Sequence, residues 1–222
     1  MRIGFGAPVS GAWATPANMA SFTAQAEAAG YASVWTFQRL IVPEGSAMEP
    51  VYHSVLDPMV ALGYAAAATS RIRLGVAVIN MPYLSPGYLA KQAATVDVLS
   101  GGRLADGWVT SSRTDLTRIG EGIKVVRAAA EQAGRDPAAL RIVVRGVVRW
   151  GAPVTVPEGG GRRPLSGSFD DIRGDTQRLA EQGVTEIFYD LNWDPLVGSP
   201  DADPAGAAAR ATEILDGLAP YA

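Results

Sequence analysis

The sequence has no cysteine, one histidine (His53) and two lysines, and each shortage removes a class of function. Without cysteine there are no disulfides, no thiolate metal sites and no cysteine nucleophile. A single histidine also excludes a metal site built from several histidines, so we predict that the protein binds no metal. His53 matches no motif, and we expect it on the surface or half-buried in a loop.

Charge of one sign and long apolar runs are also missing. The formal net charge is −3, and the 19 basic and 22 acidic residues are well mixed, which predicts neither a nucleic-acid partner nor a membrane surface. No apolar run approaches membrane-spanning length, and the N-terminus lacks the apolar core of a signal peptide. We therefore expect a cytoplasmic protein, with residues 1–222 forming a single domain.

The first half of the chain repeats one pattern three times: a short apolar segment, a loop, and then Ser, Thr or Asp before Pro. This pair starts a helix, because the first residue caps it and proline suits its first turn. The starts are Thr15-Pro16, Asp57-Pro58 and Ser85-Pro86, and the predicted strands are Arg2–Pro8, Ser33–Phe37 and Arg71–Ile79. Recurring strand–helix units predict an α/β fold with a parallel sheet.

The second half predicts three more strands and three more helices. The strands are Arg103–Thr110, Leu140–Trp150 and Val184–Leu191, and the helices are Asp115–Ala133, Phe169–Gln182 and one from Asp203-Pro204. Residues 38–54 and 151–168 are predicted as long loops. Six strands fit either an open doubly wound sheet or an incomplete eight-stranded barrel, and the pattern alone does not choose.

Glycine-rich phosphate sites are not predicted. Gly4, Gly6 and Gly11 do not form the spacing of a dinucleotide fingerprint. Residues 159–163, GGGRR, are not followed by Lys-Ser/Thr and a helix, so we interpret them as a flexible loop rather than a phosphate cradle.

Three long segments resemble the luciferase-like monooxygenase superfamily, and most closely its branch that uses the deazaflavin coenzyme F-420. They are AEAAGYASVWTFQRLIVP (26–43), LDPMVALGYAAAATSRIRLGVAV (56–78) and LAKQAATVDVLSGGRL (89–104). The resemblance implies a TIM-barrel-like fold with coenzyme F-420 or FMN at the C-terminal ends of the strands, and often a dimer. It further implies hydride transfer between the reduced cofactor and a small organic substrate.

The chain departs from the family pattern in its middle. Residues 1–103 resemble the first half of the barrel, 105–192 its last three strand–helix units, and 193–222 form a closing helix, so the family's fourth and fifth strands are absent. We therefore predict an incomplete barrel of about six parallel strands. Sheet edges exposed by the loss need a cover, which predicts a homodimer.

The resemblance nominates two groups of cofactor contacts. Ala77 and Val78 match the place where the family often has a cis peptide behind the cofactor ring, and Asn80 follows at the strand exit. Ser111, Ser112 and Arg113 precede a helix, where free N–H groups and a positive charge would favour the cofactor's phosphate-bearing tail. The alternative for this second group is that Ser112 or Thr114 merely caps the helix.

A second departure affects the chemistry. Many deazaflavin members end the second strand with Asp-His, whereas this chain has Gln38 and Arg39. Glutamine does not transfer protons and arginine stays protonated, so these weak catalytic candidates could instead bind an anion or begin a solvated loop. The function therefore has two alternatives, a flavin- or deazaflavin-dependent oxidoreductase or an inactive shortened paralogue that binds flavin or serves as a scaffold.

Overall fold

The computed structural model describes residues 1–151, 153–155 and 161–220. The strands are β1 (Arg2–Gly6), β2 (Ser33–Thr36), β3 (Arg73–Val76), β4 (Trp108–Val109), β5 (Ile142–Val147), β6 (Arg149–Trp150), β7 (Ser166–Gly167) and β8 (Glu186–Asp190). The helices are α1 (Pro16–Ala28), α2 (Pro58–Ala68), α3 (Pro86–Ser100), α4 (Ile119–Gln132), α5 (Phe169–Glu181) and α6 (Pro204–Gly217). None of the described helices is long and apolar enough to cross a membrane.

The three helix starts predicted in the first half of the chain are confirmed. Thr15 accepts a hydrogen bond from the Asn18 N–H at 3.2 Å, and Asp57 accepts from the N–H groups of Met59 and Val60 at 3.1 and 3.0 Å. Such caps satisfy N–H groups that have no partner within the helix. Ser85 also precedes its helix directly, but its side chain makes no capping bond.

Six parallel strands form the main sheet in the order β3-β2-β1-β8-β5-β4. The last strand of the chain, β8, pairs with the first, β1, with Ile3 opposite Ile187 and Phe5 opposite Tyr189. This is the neighbour relation of a barrel, since a doubly wound sheet places the first strand in the middle and the last at an edge. The predicted incomplete, TIM-barrel-like α/β fold is thereby confirmed.

A short segment spans the gap between the two edge strands of the sheet, β3 and β4. The Leu74 N–H donates to the Arg103 carbonyl at 2.9 Å, and the Ala105 N–H donates to the Leu74 carbonyl at 2.7 Å. Asp106 then contacts Arg73 at 2.9 Å and Arg141 at 3.2 Å, which ties the two sides together. Part of the β3 edge is therefore covered by the chain itself.

The predicted strand Arg103–Thr110 is shortened to β4, Trp108–Val109. The reason is that the chain crosses from one strand edge to another within these few residues and turns at Gly107, whose φ is +136°. Such a backbone conformation is open to glycine and rare for other residues.

The interior of the curled sheet is narrow and filled. Trp35 stacks on Phe188 with a centroid distance of 4.9 Å and an interplanar angle of 10°, and Ala77 and Val143 pack around them. Gly75 faces the indole of Trp35, and a Cβ at this position would collide with the ring. The small barrel thus accommodates one large aromatic pair because the facing position on the neighbouring strand, Gly75, has no side chain.

Two further boundaries differ from prediction. The strand predicted as Leu140–Trp150 ends at Val147, and β6 then pairs in parallel with β7, Ser166–Gly167, inside the region predicted as loop. The helix predicted from Asp115 begins as a 3-10 turn at Leu116–Arg118 and becomes α-helical at Ile119. The pairing of β6 with β7 is set by tertiary contacts, which turn-residue composition does not reveal.

Candidate functional site

A cavity of about 760 Å³ lies at the C-terminal side of the parallel sheet. Its walls come from the ends of β5 and β6, from residues 112–117 after β4, and from residues 161–164 before β7. The volume lies in the range of small-molecule sites, and this end of a parallel barrel is where such folds bind their ligands. The apolar part of the lining includes Val147, Leu116 and Trp193.

Arginine dominates the charge of this cavity. Five arginines line it, against two carboxylates, Glu49 and Asp115; the arginines are Arg113, Arg145, Arg149, Arg162 and Arg163. Two of the five have buried partners. Arg145 pairs with Asp190, and Arg162 pairs with Asp175, which raises the pKa of Arg162 and increases its preference for the charged form.

Arg145 connects the cavity with the end of β3. It is 6% exposed, its Nε donates to Asp190 Oδ2 at 2.7 Å, and its Nη1 donates to the Ala77 carbonyl at 3.0 Å. Its guanidinium lies 4.6 Å from the Phe37 ring centroid. The residue therefore closes the top of the barrel interior and holds the β3 exit against β5 and β8.

Asn192 extends this network. Its Nδ2 donates to Asp190 Oδ1 at 2.9 Å and to the Ala7 carbonyl at 3.0 Å, whereas its Oδ1 is buried without a hydrogen-bond partner. Buried polar atoms of this kind are uncommon and need an explanation such as a ligand or a water molecule. Sequence reasoning missed Arg145. The available signal was an arginine interrupting the apolar strand IVVRGVV, an arrangement that requires a buried partner.

Gln38 holds the β3 exit loop. It is 7% exposed, its Oε1 accepts from the Asn80 N–H at 2.7 Å, and its backbone N–H donates to the Val78 carbonyl at 3.1 Å. The side chain thus positions the segment that was predicted to contact the cofactor. The neighbouring Arg39 lies over the Tyr52 ring at 4.0 Å from its centroid, and its buried Nε has no hydrogen-bond partner.

Ala77 and Val78 are joined by a cis peptide bond, as the resemblance implied. Ala77 is fully buried and its carbonyl is engaged by Arg145, whereas Val78 is 45% exposed. Of these two predicted contacts, only the Val78 side chain is open to a ligand. Neither residue, nor Asn80, lines the large cavity.

Ser112 and Arg113 do line the cavity, but the helix start differs from prediction. The N–H groups of Arg113 and Thr114 donate to the Oγ and the carbonyl of Ser111 at 3.1 and 3.2 Å, so they are not free for an anion. The helix cap is neither Ser112 nor Thr114 but Asp115, which accepts from the Thr117 N–H and hydroxyl. Those two bonds lower the pKa of Asp115, so its negative charge is retained at this start.

The remaining candidates take ordinary places. His53 is exposed and contacts the Met48 carbonyl at 3.1 Å. Of the tryptophans, Trp35 packs inside the barrel and Trp193 lines the cavity. Residues 159 and 160 of the glycine-rich segment lie outside the described residues, and Arg162, next to them, binds Asp175.

The sequence model of luciferase-like monooxygenases matches residues 3–105. The match ends within the segment that crosses from the β3 edge of the sheet to β4. Uncharacterized proteins from Mycobacterium tuberculosis and Mycobacterium bovis are 47% identical to the chain over 68 residues. That match covers 29% of this chain and 24% of each relative, so the chain spans about a quarter of the length of the curated relatives it matches.

Solved structures share the fold along the whole chain at low identity. Monooxygenase RslO1 from Streptomyces bottropensis aligns with a TM-score of 0.67 at 14% identity, covering 98% of both chains. The coenzyme F-420 dependent tetrahydromethanopterin reductase from Methanopyrus kandleri aligns with a TM-score of 0.63 at 14% identity, covering 99% of this chain and 98% of the reductase.

Proposed function

We propose that the chain is a flavin- or deazaflavin-dependent oxidoreductase, because residues 3–105 match the luciferase-like monooxygenase model and the chain shares the fold of monooxygenase RslO1. The observation that carries this proposal is the cavity at the C-terminal side of the sheet, whose lining residue Arg145 donates to the Ala77 carbonyl at the exit of β3. Structural relatives at this fold level include an F-420-dependent secondary alcohol dehydrogenase and a riboflavin lyase with modified FMN. The substrate in this proposal is a small organic molecule, and the cofactor is coenzyme F-420 or FMN.

The residues present fit such a cofactor. Val78 offers an exposed apolar surface beside a loop that Gln38 and Arg145 hold in place. The cavity combines apolar walls with positive charge, which suits a flat ring bearing an anionic tail. In this proposal Val78 and Asn80 contact the ring, Ala77 backs them, and Ser111, Ser112 and Arg113 lie near the tail.

When bound, a reduced flavin or deazaflavin supplies the hydride. The protein's own contribution is position and electrostatics. Gln38 fixes the loop at 78–80 through the Asn80 N–H, and Arg145 and Arg39 keep positive charge at this end of the barrel. Fixed positive charge favours negative charge that develops during a reaction. Neither Gln38 nor Arg39 transfers a proton, so a substrate that needs no proton relay at this position is favoured.

The test is a binding titration followed by a turnover assay. The absorption spectrum of the purified protein is recorded first, and FMN and coenzyme F-420 are then titrated against it. We expect one of the two to bind, and a variant Val78→Glu to bind it at least about tenfold more weakly, since a carboxylate would lie against the ring. Val125→Glu, the same substitution at a more exposed position on α4, is the control.

Two results would contradict the proposal: no binding of either cofactor at high micromolar concentration, or equal binding by the two glutamate variants. Binding without hydride transfer to any acceptor would favour the alternative, an inactive paralogue that carries flavin. That alternative is supported by the loss of the family's Asp-His pair, since the side chain at position 38 is occupied with holding Asn80.

We also propose a homodimer. The original reason, two exposed sheet edges, is weakened because residues 103–105 cover part of β3. A different surface now supports it: large apolar side chains are exposed on the neighbouring helices α2 and α3, namely Val60, Tyr64, Tyr88, Val98 and Leu99. Apolar clusters of this kind often mark interfaces. Sedimentation of the wild type and of Leu99→Lys should show a dimer that the variant loses; a wild-type monomer would contradict this.

A further inference from the structure

Three of the five arginines in the cavity make no ion pair within the described residues, and two of these three, Arg149 and Arg163, lie on the same wall. Arg149 lies on β6, and Arg163 lies in the segment that leads to β7. The side-chain Nη1 of Arg149 is buried without a hydrogen-bond partner, and within the described residues neither side chain makes an ion pair. An unpaired buried guanidinium nitrogen is costly unless a ligand satisfies it.

The surroundings of Arg149 disfavour its charged form. Burial lowers the pKa of Arg149, and the nearby charge of Arg163 lowers it further, although Asp194 and Glu49 oppose the shift. Asp194 is engaged by Arg210 at 2.9 Å, and the nearby Asp190 is engaged by Arg145 at 2.7 Å. The carboxylate left on the cavity lining beside the pair is Glu49, which is exposed to solvent.

We infer that Arg149 and Arg163 form an anion subsite that binds a phosphate or carboxylate group of the substrate. A guanidinium binds such groups through two parallel hydrogen bonds, and two adjacent guanidinium groups suit a doubly charged anion. The subsite would restrict the substrate to small molecules that carry an anionic group at one end. Val147 and Trp193, on the same cavity lining, would contact its apolar part.

Assigning the anion to the substrate rests on the proposed function. In that proposal the cofactor ring contacts the end of β3, and its tail lies near residues 111–113. The arginine pair belongs to a different wall of the cavity, formed by β6 and residues 161–164, and is left for a second ligand. The backbone at residues 113 and 114 is already hydrogen-bonded, so the arginine pair is the stronger anion site of the two walls.

The test is calorimetric titration of the full chain with inorganic phosphate, at constant ionic strength with chloride as the reference anion. We expect binding by the wild type and at least about tenfold weaker binding by Arg149→Met and by Arg163→Met. Arg135→Met removes the same charge from an exposed position after α4 and should bind phosphate as the wild type does. No phosphate binding by the wild type, or equal binding by Arg149→Met and Arg135→Met, would overturn the subsite.

A second arm separates the two sources of an anionic group. With the protein saturated with FMN, phosphate affinity should stay unchanged if the subsite serves the substrate. Competition between FMN and phosphate, without competition by riboflavin, would overturn the substrate assignment and give the subsite to the cofactor's phosphate. If FMN does not bind at all, the proposed function loses its support, whereas the phosphate titration still decides whether the subsite exists.

Discussion

The two ends of the barrel use their polar side chains differently. At the N-terminal end, the side chains of Glu27 and Arg103 form hydrogen bonds with backbone groups of the same chain. At the C-terminal end, Arg145 and Arg149 lie around a cavity, and Arg149 Nη1 and Asn192 Oδ1 lack partners. In parallel barrels the first end stabilises the fold and the second carries the chemistry.

Contacts at the N-terminal end also explain why the motifs around Glu27 and Arg103 resemble the family strongly. Glu27 accepts hydrogen bonds from the N–H groups of Ser70, Arg71 and Ile72 at 3.0, 2.6 and 2.7 Å. Arg103 donates to the carbonyls of Ala66 and Ile72 at 2.9 and 3.0 Å. The motifs containing these residues, AEAAG and SGGRL, therefore identify the fold, and they say little about the substrate.

The largest effect is expected from Asp190→Asn, which tests whether polar residues at the C-terminal end also stabilise the fold. The change leaves the buried Arg145 charge without its partner and should destabilise the fold by about 3–5 kcal/mol. Urea unfolding measures this, and the double variant Arg145→Met/Asp190→Asn should recover most of the loss. A single variant within about 1 kcal/mol of wild type would mean that the pair serves ligand binding alone.

The next effect is expected at the opposite end. Arg103→Met leaves the carbonyls at the end of α2 without their donor and should cost about 3 kcal/mol in the free energy of unfolding. Cofactor affinity, measured at a temperature where the variant is folded, should not change. If Arg103→Met lost as much cofactor affinity as Val78→Glu, the assignment of stability to the N-terminal end and ligand binding to the C-terminal end would be contradicted.

The narrow interior gives a smaller effect. Gly75→Ala pushes a methyl group into the Trp35 ring and should destabilise the protein by about 1–3 kcal/mol. Gly63→Ala is the matched control, because no atom lies within 4 Å of the added methyl group on α2. That control should be neutral or stabilising by about 0.5–1 kcal/mol. Equal effects of the two changes would show that the interior is not tightly packed.

The smallest effect depends on pH. Burial works to raise the pKa of Glu27, but hydrogen bonds from Ile72, Arg71 and Ser70 outweigh it and lower the pKa from 4.5 to about 2. The stabilisation is therefore complete above pH 4.5 and is lost as the pH falls toward 2. The stability difference between wild type and Glu27→Gln should shrink over that range. A difference that is constant with pH would contradict this role.

Sequence reasoning reached the fold because its signals were local. Thr15-Pro16 and Asp57-Pro58 cap their own helices, and the absence of two strands followed from comparing successive motifs. What it missed depends on distant contacts. The Arg145–Asp190 pair joins residues 45 positions apart, and the pairing of β6 with β7 depends on how the chain returns after a loop. The cap predicted at Ser112 or Thr114 was wrong, because Asp115 accepts the capping hydrogen bond from the Thr117 N–H.

The central claim is that the shortened barrel keeps a cofactor site at its C-terminal end. Equilibrium titration of the purified chain with FMN and with coenzyme F-420 tests it most directly. We predict saturable binding of one of them, weakened by Val78→Glu and unaffected by Val125→Glu and Arg103→Met. Absence of binding of both cofactors by a folded wild-type protein would contradict it.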